Sequence, residues 1–216
     1  MKSFVAFALF SMLFVSSCSE NTTTPVDPTI QTVKIGTQVW TYKNLDISTY
    51  RNGDPIRYAS TTAEWIDAGV KEEGAWCYYN NDPKNGEKYG KLYNWWAVND
   101  VRGLAPKGYH VPSKVEWSAL IEYLGGEQNA GYKMKSLDTY KSNKTGWVGY
   151  NRIATIDESG NGDNSSGFNG LPGGSRRDDG NFLGVNYGVS WWSSTSTTPY
   201  KAGQVSLVHY YRSCLY

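Results

Sequence analysis

A helical period of apolar residues is confined to the first part of this 216-residue chain. From Trp147 onward, glycine, asparagine, serine and aromatic residues alternate in short runs, and no helical period occurs. Because candidate helices and candidate strands occupy different parts of the chain, the sequence predicts an α+β fold rather than a βαβ repeat. We expect a loop-rich domain with short antiparallel strands and two or three short helices.

The clearest local signal is a capping box formed by Ser113 and Glu116, which predicts the first turn of a helix. This helix is predicted over residues 114–124, because a Gly-Gly pair follows and ends it. Its apolar stripe, at positions i, i+3, i+4 and i+7, consists of Trp117, Leu120, Ile121 and Leu124. The stripe should face a core.

Shorter signals predict the remaining elements. Thr61 and Glu64 form a second capping box ahead of a short helix that ends near Ala68, and a third helix is predicted over residues 129–135. The other predictions are a hairpin at 33–40, strands at 74–81 and 205–211, a turn at 82–86, and either a helix or a strand at 89–98.

Composition excludes several classes of protein. Aromatic residues make up 15% of the chain, which argues against intrinsic disorder. The formal net charge is +1, so no field attracts a nucleic-acid backbone, and we expect no nucleic-acid partner. With 2 His and 3 Cys the chain has too few ligands for a metal-rich protein, and we expect no cofactor.

The N-terminus is typical of an exported lipoprotein. Residues 1–17 combine Lys2 with an apolar run too short to span a bilayer, as in a signal peptide. Small residues precede Cys18, as in a bacterial lipobox, which directs acylation of the thiol with palmitate-type chains and cleavage before it. An ordinary signal peptide with a chance cysteine is the alternative. Residues 18–32 form the acylated Cys and a polar, flexible linker.

An exported lipoprotein would have a membrane as its partner and would lie in a compartment that permits disulfides. A lipid anchor would hold the domain at the bacterial envelope, and Ser19 after the cysteine favours the outer membrane or cell surface. An exported compartment permits a disulfide between Cys77 and Cys214, but two unpaired buried cysteines fit the sequence equally well.

Several segments, taken in order, resemble one family. They are residues 36–40 (GTQVW), 89–95 (YGKLYNW), 103–113 (GLAPKGYHVPS), 116–117 (EW), 164–174 (NSSGFNGLPGG) and 192–195 (WSST). Over residues 33–216 the chain resembles the Fibrobacter succinogenes major paralogous domain. The resemblance implies a fold similar to C-type lectins, in exported and often lipid-anchored bacterial proteins, with no established activity.

One departure from that pattern concerns the end of the domain. Family members continue past the equivalent of Tyr211-Arg212-Ser213 into a final strand, whereas this sequence stops at Cys214-Leu215-Tyr216. We therefore expect the domain to lack its last C-terminal strand, together with a cysteine that could pair with Cys77 in longer relatives.

Candidate chemistry is sparse. No motif joins His110 or His209 to a nucleophile, and Cys214 alone does not reproduce the cysteine pair of the formylglycine-generating enzymes that share the fold. A calcium loop is suggested by Asp157, Ser159, Asn161 and Asp163, which resemble half an EF-hand. Phe168 stands where a bidentate Glu should be, so a solvated turn is the alternative.

A binding surface is the leading functional hypothesis. In hypervariable relatives of the fold, the ligand surface lies near the C-terminus, and the corresponding aromatic residues here are Tyr187, Trp191, Tyr200, His209, Tyr210 and Tyr211. The sequence thus predicts a non-catalytic binding or adhesion module for a glycan or protein ligand. An exported enzyme and a purely structural envelope protein, whose aromatic residues fill a core, are the alternatives.

Overall fold

The computed structural model describes residues 28–137, 146–147, 162–198, 201–209 and 213–215. Within them the α-helices all lie before residue 135: α1 Thr62–Val70, α2 Pro83–Tyr89, α3 Trp95–Val98, α4 Lys114–Tyr123 and α5 Glu127–Met134. The strands are β1 Thr32–Ile35, β2 Gln38–Thr41, β3 Arg57–Tyr58, β4 Ala75–Cys77, β5 Leu92–Tyr93, β6 Gly173–Arg176, β7 Phe182–Val185, β8 Gly188–Thr198, β9 Lys201–Val208 and β10 Cys214–Leu215. The predicted α+β class is confirmed.

Three sheets form from these strands. β1 and β2 make a hairpin, β3, β4 and β5 make a three-stranded sheet in that order, and the largest sheet has the order β10-β9-β8-β6-β7. Most neighbours are antiparallel, whereas β3–β4 and β6–β8 run parallel. The long β8–β9 hairpin is the centre of the largest sheet, so its two faces decide what the second half of the chain buries and what it exposes.

Both predicted capping boxes form. The Ser113 hydroxyl accepts from the Glu116 amide at the start of α4, and Thr61 does the same for Glu64 at the start of α1. The predicted turn at 82–86 is wrong, because Asp82 instead caps α2 and Pro83 occupies its first turn. The strand predicted at 74–81 ends at Cys77 and continues into a 3₁₀ turn, and the ambiguous segment 89–98 divides into β5 and α3.

An aromatic cluster holds the helical half against the largest sheet. Trp117 on α4 is 2% exposed, and its ring centroid lies 4.7 Å from that of Trp40 on β2. Phe168 packs edge-on against Trp191 of β8 at 5.3 Å, and it also contacts Trp40 at 5.8 Å. The apolar stripe of α4 therefore faces a core, as predicted, and in that core it packs with aromatic and aliphatic side chains contributed by distant segments.

Gly170 connects α5 to this cluster. Its amide donates to the Met134 carbonyl at 2.8 Å, and its carbonyl accepts from the Ser136 amide and the Trp147 indole. A Cβ at this position would lie 3.0 Å from the Trp191 ring and 3.1 Å from the Met134 carbonyl. The close approach of these segments depends on the missing side chain.

Cys77 and Cys214 are both free and buried. Cys77 packs with the α1 cluster around Trp65, whereas Cys214 belongs to the large aromatic cluster. The suggested Cys77–Cys214 bridge is therefore not formed, and the structure has the alternative of two unpaired thiols. Burial raises the pKa of the Cys214 thiol to about 12.

Lys135 is a cation buried beneath the β8–β9 hairpin. The residue is 2% exposed, and its Nζ donates to the Val208 carbonyl at 2.7 Å. The same ammonium lies 4.9 Å from the centroid of the Trp147 ring. Burial lowers the pKa of Lys135 to about 8, because the charged form loses its hydration.

We expect Ser113→Ala to lower the free energy of unfolding by roughly 0.5–2 kcal/mol through loss of the cap. Trp117→Ala should cost roughly 3–5 kcal/mol because it removes a buried ring. Urea denaturation followed by circular dichroism measures both values. A Trp117→Ala protein as stable as the wild type would contradict the assignment of this ring to the core.

The buried ammonium of Lys135 should make stability depend on pH. Between pH 8 and 10.5 the unfolded chain binds more protons at this lysine than the folded chain, so its contribution to stability rises with pH. The free energy of unfolding of the wild type should therefore rise, relative to that of Lys135→Met, by on the order of 2–3 kcal/mol across this window. Urea titrations of both proteins at several pH values measure the difference, and a constant difference would contradict the prediction.

Candidate functional site

A cavity of about 1220 Å³ lies where the two halves of the domain meet. Its lining comes from β2 and the loop after it, from β5 and α3, from residues 104–112, and from β6 and β8. Pockets for a single small molecule usually measure about 300–1,000 Å³. The cavity is thus large enough for an extended ligand.

Two adjacent tryptophans on β8 line the cavity, and hydrogen bonds fix both. The Trp191 indole donates to the Asn44 side-chain oxygen at 2.9 Å, and the Trp192 indole donates to the Tyr93 carbonyl at 2.8 Å. Both residues are half-buried. Trp191 points with Val189 toward the core cluster, whereas Trp192 lies on the opposite face of β8 with Ser190. Because its polar N–H group already has a partner, the Trp192 ring offers the cavity apolar surface in a fixed orientation.

One face of the β8–β9 hairpin points into the core, and the other carries polar side chains. Val189 pairs with Leu207, and both are buried. On the opposite face, Ser190 lines the cavity and shares a 2.8 Å hydrogen bond with Ser206. Gln204, which also lines the cavity, is exposed and lies across from Trp192. Hydrogen-bonding groups therefore lie on the same face of the hairpin as the Trp192 ring.

Lys91 is a charged residue of the lining, and its charge is paired with a carboxylate. Its side chain is 7% exposed and forms an ion pair with Asp46. The ammonium also lies 4.6 Å from the centroid of the Trp76 ring. An ammonium held by a carboxylate and an aromatic face has little remaining attraction for an anionic ligand.

Arg176 is a second cation of the lining, and it is bonded mainly to the backbone. Nη1 donates to the Ala59 carbonyl at 3.0 Å, and Nε donates to the Gly180 carbonyl at 3.1 Å. The guanidinium lies over the Trp65 and Phe182 rings. In the described part of the chain, Nη2 is buried without a hydrogen-bond partner.

His110, Glu116 and Ser113 lie together, but their bonds are those of a helix cap. His110 Nε2 lies 2.7 Å from one Glu116 oxygen, while the Ser113 hydroxyl and amide both donate to the other oxygen at 2.7 Å. Burial acts to raise the pKa of Glu116, but these bonds outweigh it and lower the pKa. The Ser113 hydroxyl and the Glu116 carboxylate are thus engaged with each other and with backbone amides in the cap of α4.

The structure places the described residues of the predicted binding surface in two different regions. Trp191 lines the cavity, whereas Tyr187 and His209 lie at the far end of the β8–β9 hairpin, outside its lining. There Tyr187 is 51% exposed and packs edge-on against His209 at 5.1 Å. Tyr200, Tyr210 and Tyr211 lie outside the described residues.

Other predicted sites also lie wholly or partly outside the described residues. These are Cys18 and, for the calcium loop, Asp157, Ser159 and Asn161. Asp163 is described, and its carboxylate accepts from the Ser165 amide at 2.9 Å, as in a turn. Among the residues that the structure describes, no group of three His, Cys, Asp or Glu side chains could hold a metal ion.

Sequence reasoning missed most of the lining. Tyr42, Tyr93 and Trp96 come from the first half of the chain, where no local pattern connects them with β8. Strand alternation could have found Ser190 and Gln204, because each follows or precedes an inward-facing residue on its strand.

The segments that carry the family resemblance converge on the scaffold around the cavity. In the 192–195 segment, the Ser194 amide donates to the Pro112 carbonyl at 2.8 Å, and the Thr195 hydroxyl accepts from the Lys114 amide at 2.9 Å. These bonds fix the start of α4 to β8. These motifs thus hold together segments that are far apart in sequence.

The chain matches the Fibrobacter succinogenes major domain over residues 33–216 and belongs to that family. The resemblance predicted from the motifs is thereby confirmed over the predicted range. No curated protein and no solved structure matches the chain.

Proposed function

We propose that this member of the Fibrobacter succinogenes major domain family is an exported, lipid-anchored binding module that holds its ligand in the aromatic cavity. The proposal depends chiefly on one observation: a 1220 Å³ cavity lined by oriented indole rings and by polar side chains of β8 and β9. Aromatic rings next to hydrogen-bonding groups are typical of surfaces that bind glycans or proteins.

A non-catalytic role fits the chemistry of the lining. His110 and Ser113 bond the two oxygens of Glu116, so their polar groups serve the cap of α4. The thiols of Cys77 and Cys214 are buried, and burial raises the pKa of each, which disfavours the reactive thiolate. These groups contribute to the fold in the proposed protein, and the cavity binds without reacting.

Export and anchoring are proposed from the N-terminal sequence. The family domain begins at residue 33, after the signal-like segment, Cys18 and the polar linker. Among the described residues, no helix has the length and apolarity needed to cross a bilayer. In the proposed protein, acyl chains on Cys18 hold the domain at the outer membrane or cell surface.

We expect Cys18 to carry lipid in the bacterium that makes the protein. Metabolic labelling with a clickable fatty-acid probe should mark the wild type and leave Cys18→Ala unlabelled. Cys77→Ala is the matched control and should keep its label, since Cys77 lies inside the folded domain. Labelling that survives Cys18→Ala would contradict the anchor.

Binding through the cavity predicts that Tyr42→Ala weakens ligand binding while Tyr123→Ala does not. Tyr42 lines the cavity and is 38% exposed, whereas Tyr123 is 66% exposed and lies outside the lining. The immobilised full-length protein would be exposed separately to envelope polysaccharide and to envelope protein from the same bacterium. If neither fraction distinguishes Tyr42→Ala from the wild type and Tyr123→Ala, the cavity is not the binding site.

A further inference from the structure

We infer that the ligand of the cavity is an uncharged oligosaccharide several sugar units long. The inference depends on the proposed function, because it specifies what the same cavity binds. It follows from three properties of the lining: paired charges, rings with fixed faces, and polar groups placed beside the rings.

The two cations that reach the interior of the cavity are engaged within the protein, except that Nη2 of Arg176 has no hydrogen-bond partner among the described residues. Lys91 is neutralised by Asp46 and lies against the Trp76 ring. Arg176 donates to two backbone carbonyls and packs on aromatic rings. Lys43, Arg177 and Asp178, which also contribute to the lining, are exposed. An acidic ligand would have to compete with Asp46 for Lys91, whereas a neutral one leaves this pair intact.

The fixed rings suit the apolar faces of sugar rings. The Trp192 indole, on the same face of the hairpin as Ser190 and Gln204, donates its N–H group to the Tyr93 carbonyl, so a ligand meets ring surface rather than an unsatisfied donor. A sugar combines a C–H face with hydroxyls at its edge. That combination needs an aromatic surface with hydrogen-bonding groups at its side.

The polar groups beside the rings fit hydroxyl ligands. Ser190, which lines the cavity, shares one hydrogen bond with Ser206, and this leaves lone-pair capacity on the Ser190 oxygen for a ligand hydroxyl. The Gln204 amide, exposed on the same face, offers both donor and acceptor groups. Sugar hydroxyls, which also donate and accept, can bond to all of these groups without a charge.

The size of the cavity indicates an oligomer. Its volume of about 1220 Å³ exceeds the usual range of a site for one small molecule, about 300–1,000 Å³. The lining extends from Tyr42 after β2 to Gln204 on β9, so successive sugar units would meet different walls. Affinity should therefore rise from a disaccharide to a hexasaccharide of the same sugar.

Calorimetry on the full-length protein in detergent tests this inference. The probes are neutral ladders of glucose and of N-acetylglucosamine, from two to six units, and an acidic hexasaccharide of galacturonic acid. Tyr42→Ala and Gln204→Ala should each weaken binding of the neutral hexasaccharide by about tenfold or more, as expected for the loss of one good contact. The matched controls Tyr123→Ala and Gln128→Ala, both outside the lining, should bind like the wild type. Thermal melting checks that every variant is folded.

Three results would overturn the inference. Preference for the acidic hexasaccharide would show that the cations, including Nη2 of Arg176, select the ligand. Neutral binding that Tyr42→Ala and Gln204→Ala leave unchanged would place the sugar elsewhere. Failure of every oligosaccharide would exclude this ligand class. In that last case, envelope protein that binds the wild type and not Tyr42→Ala would still support the proposed function.

Discussion

The indole of Trp117 is the point at which the helical half of the domain meets the largest sheet. Its ring packs on Trp40 from β2 and lies 6.2 Å from Trp191 on β8, while its N–H donates to the Trp192 carbonyl. A single side chain thus contacts the N-terminal hairpin and the strand that lines the cavity. The capping box of Ser113 and Glu116 matters for the same reason, because it fixes the helix that positions this ring.

Close packing in this aromatic cluster requires a residue without a side chain at position 170. At Gly170 the chain passes between the end of α5 and the β8–β9 hairpin, with no room for a Cβ beside the Trp191 ring. Its amide and carbonyl are both used to bond Met134, Ser136 and Trp147. The loop of residues 164–174 therefore connects these segments and provides hydrogen bonds to their buried backbone groups. Its glycines and small polar residues thus contribute to the fold.

The sequence predicted correctly those features that depend on residues close together in the chain. Capping boxes and the α4 stripe act within about three turns of chain, and the structure confirms them. Asp82-Pro83 is compatible both with a turn and with the start of a helix, so the choice in favour of α2 needed tertiary contacts. The cavity could not be predicted, because Tyr42, Tyr93 and Trp192 meet only through the order of the strands and the packing of the rings. Of the candidate surface, Trp191 alone among its described members lies in the lining.

Two cations, the buried Lys135 and the half-buried Arg176, hold together segments that are far apart in sequence. Lys135 donates to the Val208 carbonyl across 73 residues of sequence, and Arg176 donates to the Ala59 carbonyl across 117. Each bond costs desolvation, and the lowered pKa of Lys135 reflects that cost. Each bond also fixes the relative position of two segments, since separating them would remove an acceptor from a charge that is shielded from water. Lys135 thereby holds the end of β9 to α5, and Arg176 holds β6, which contributes to the cavity, beside the α1 region.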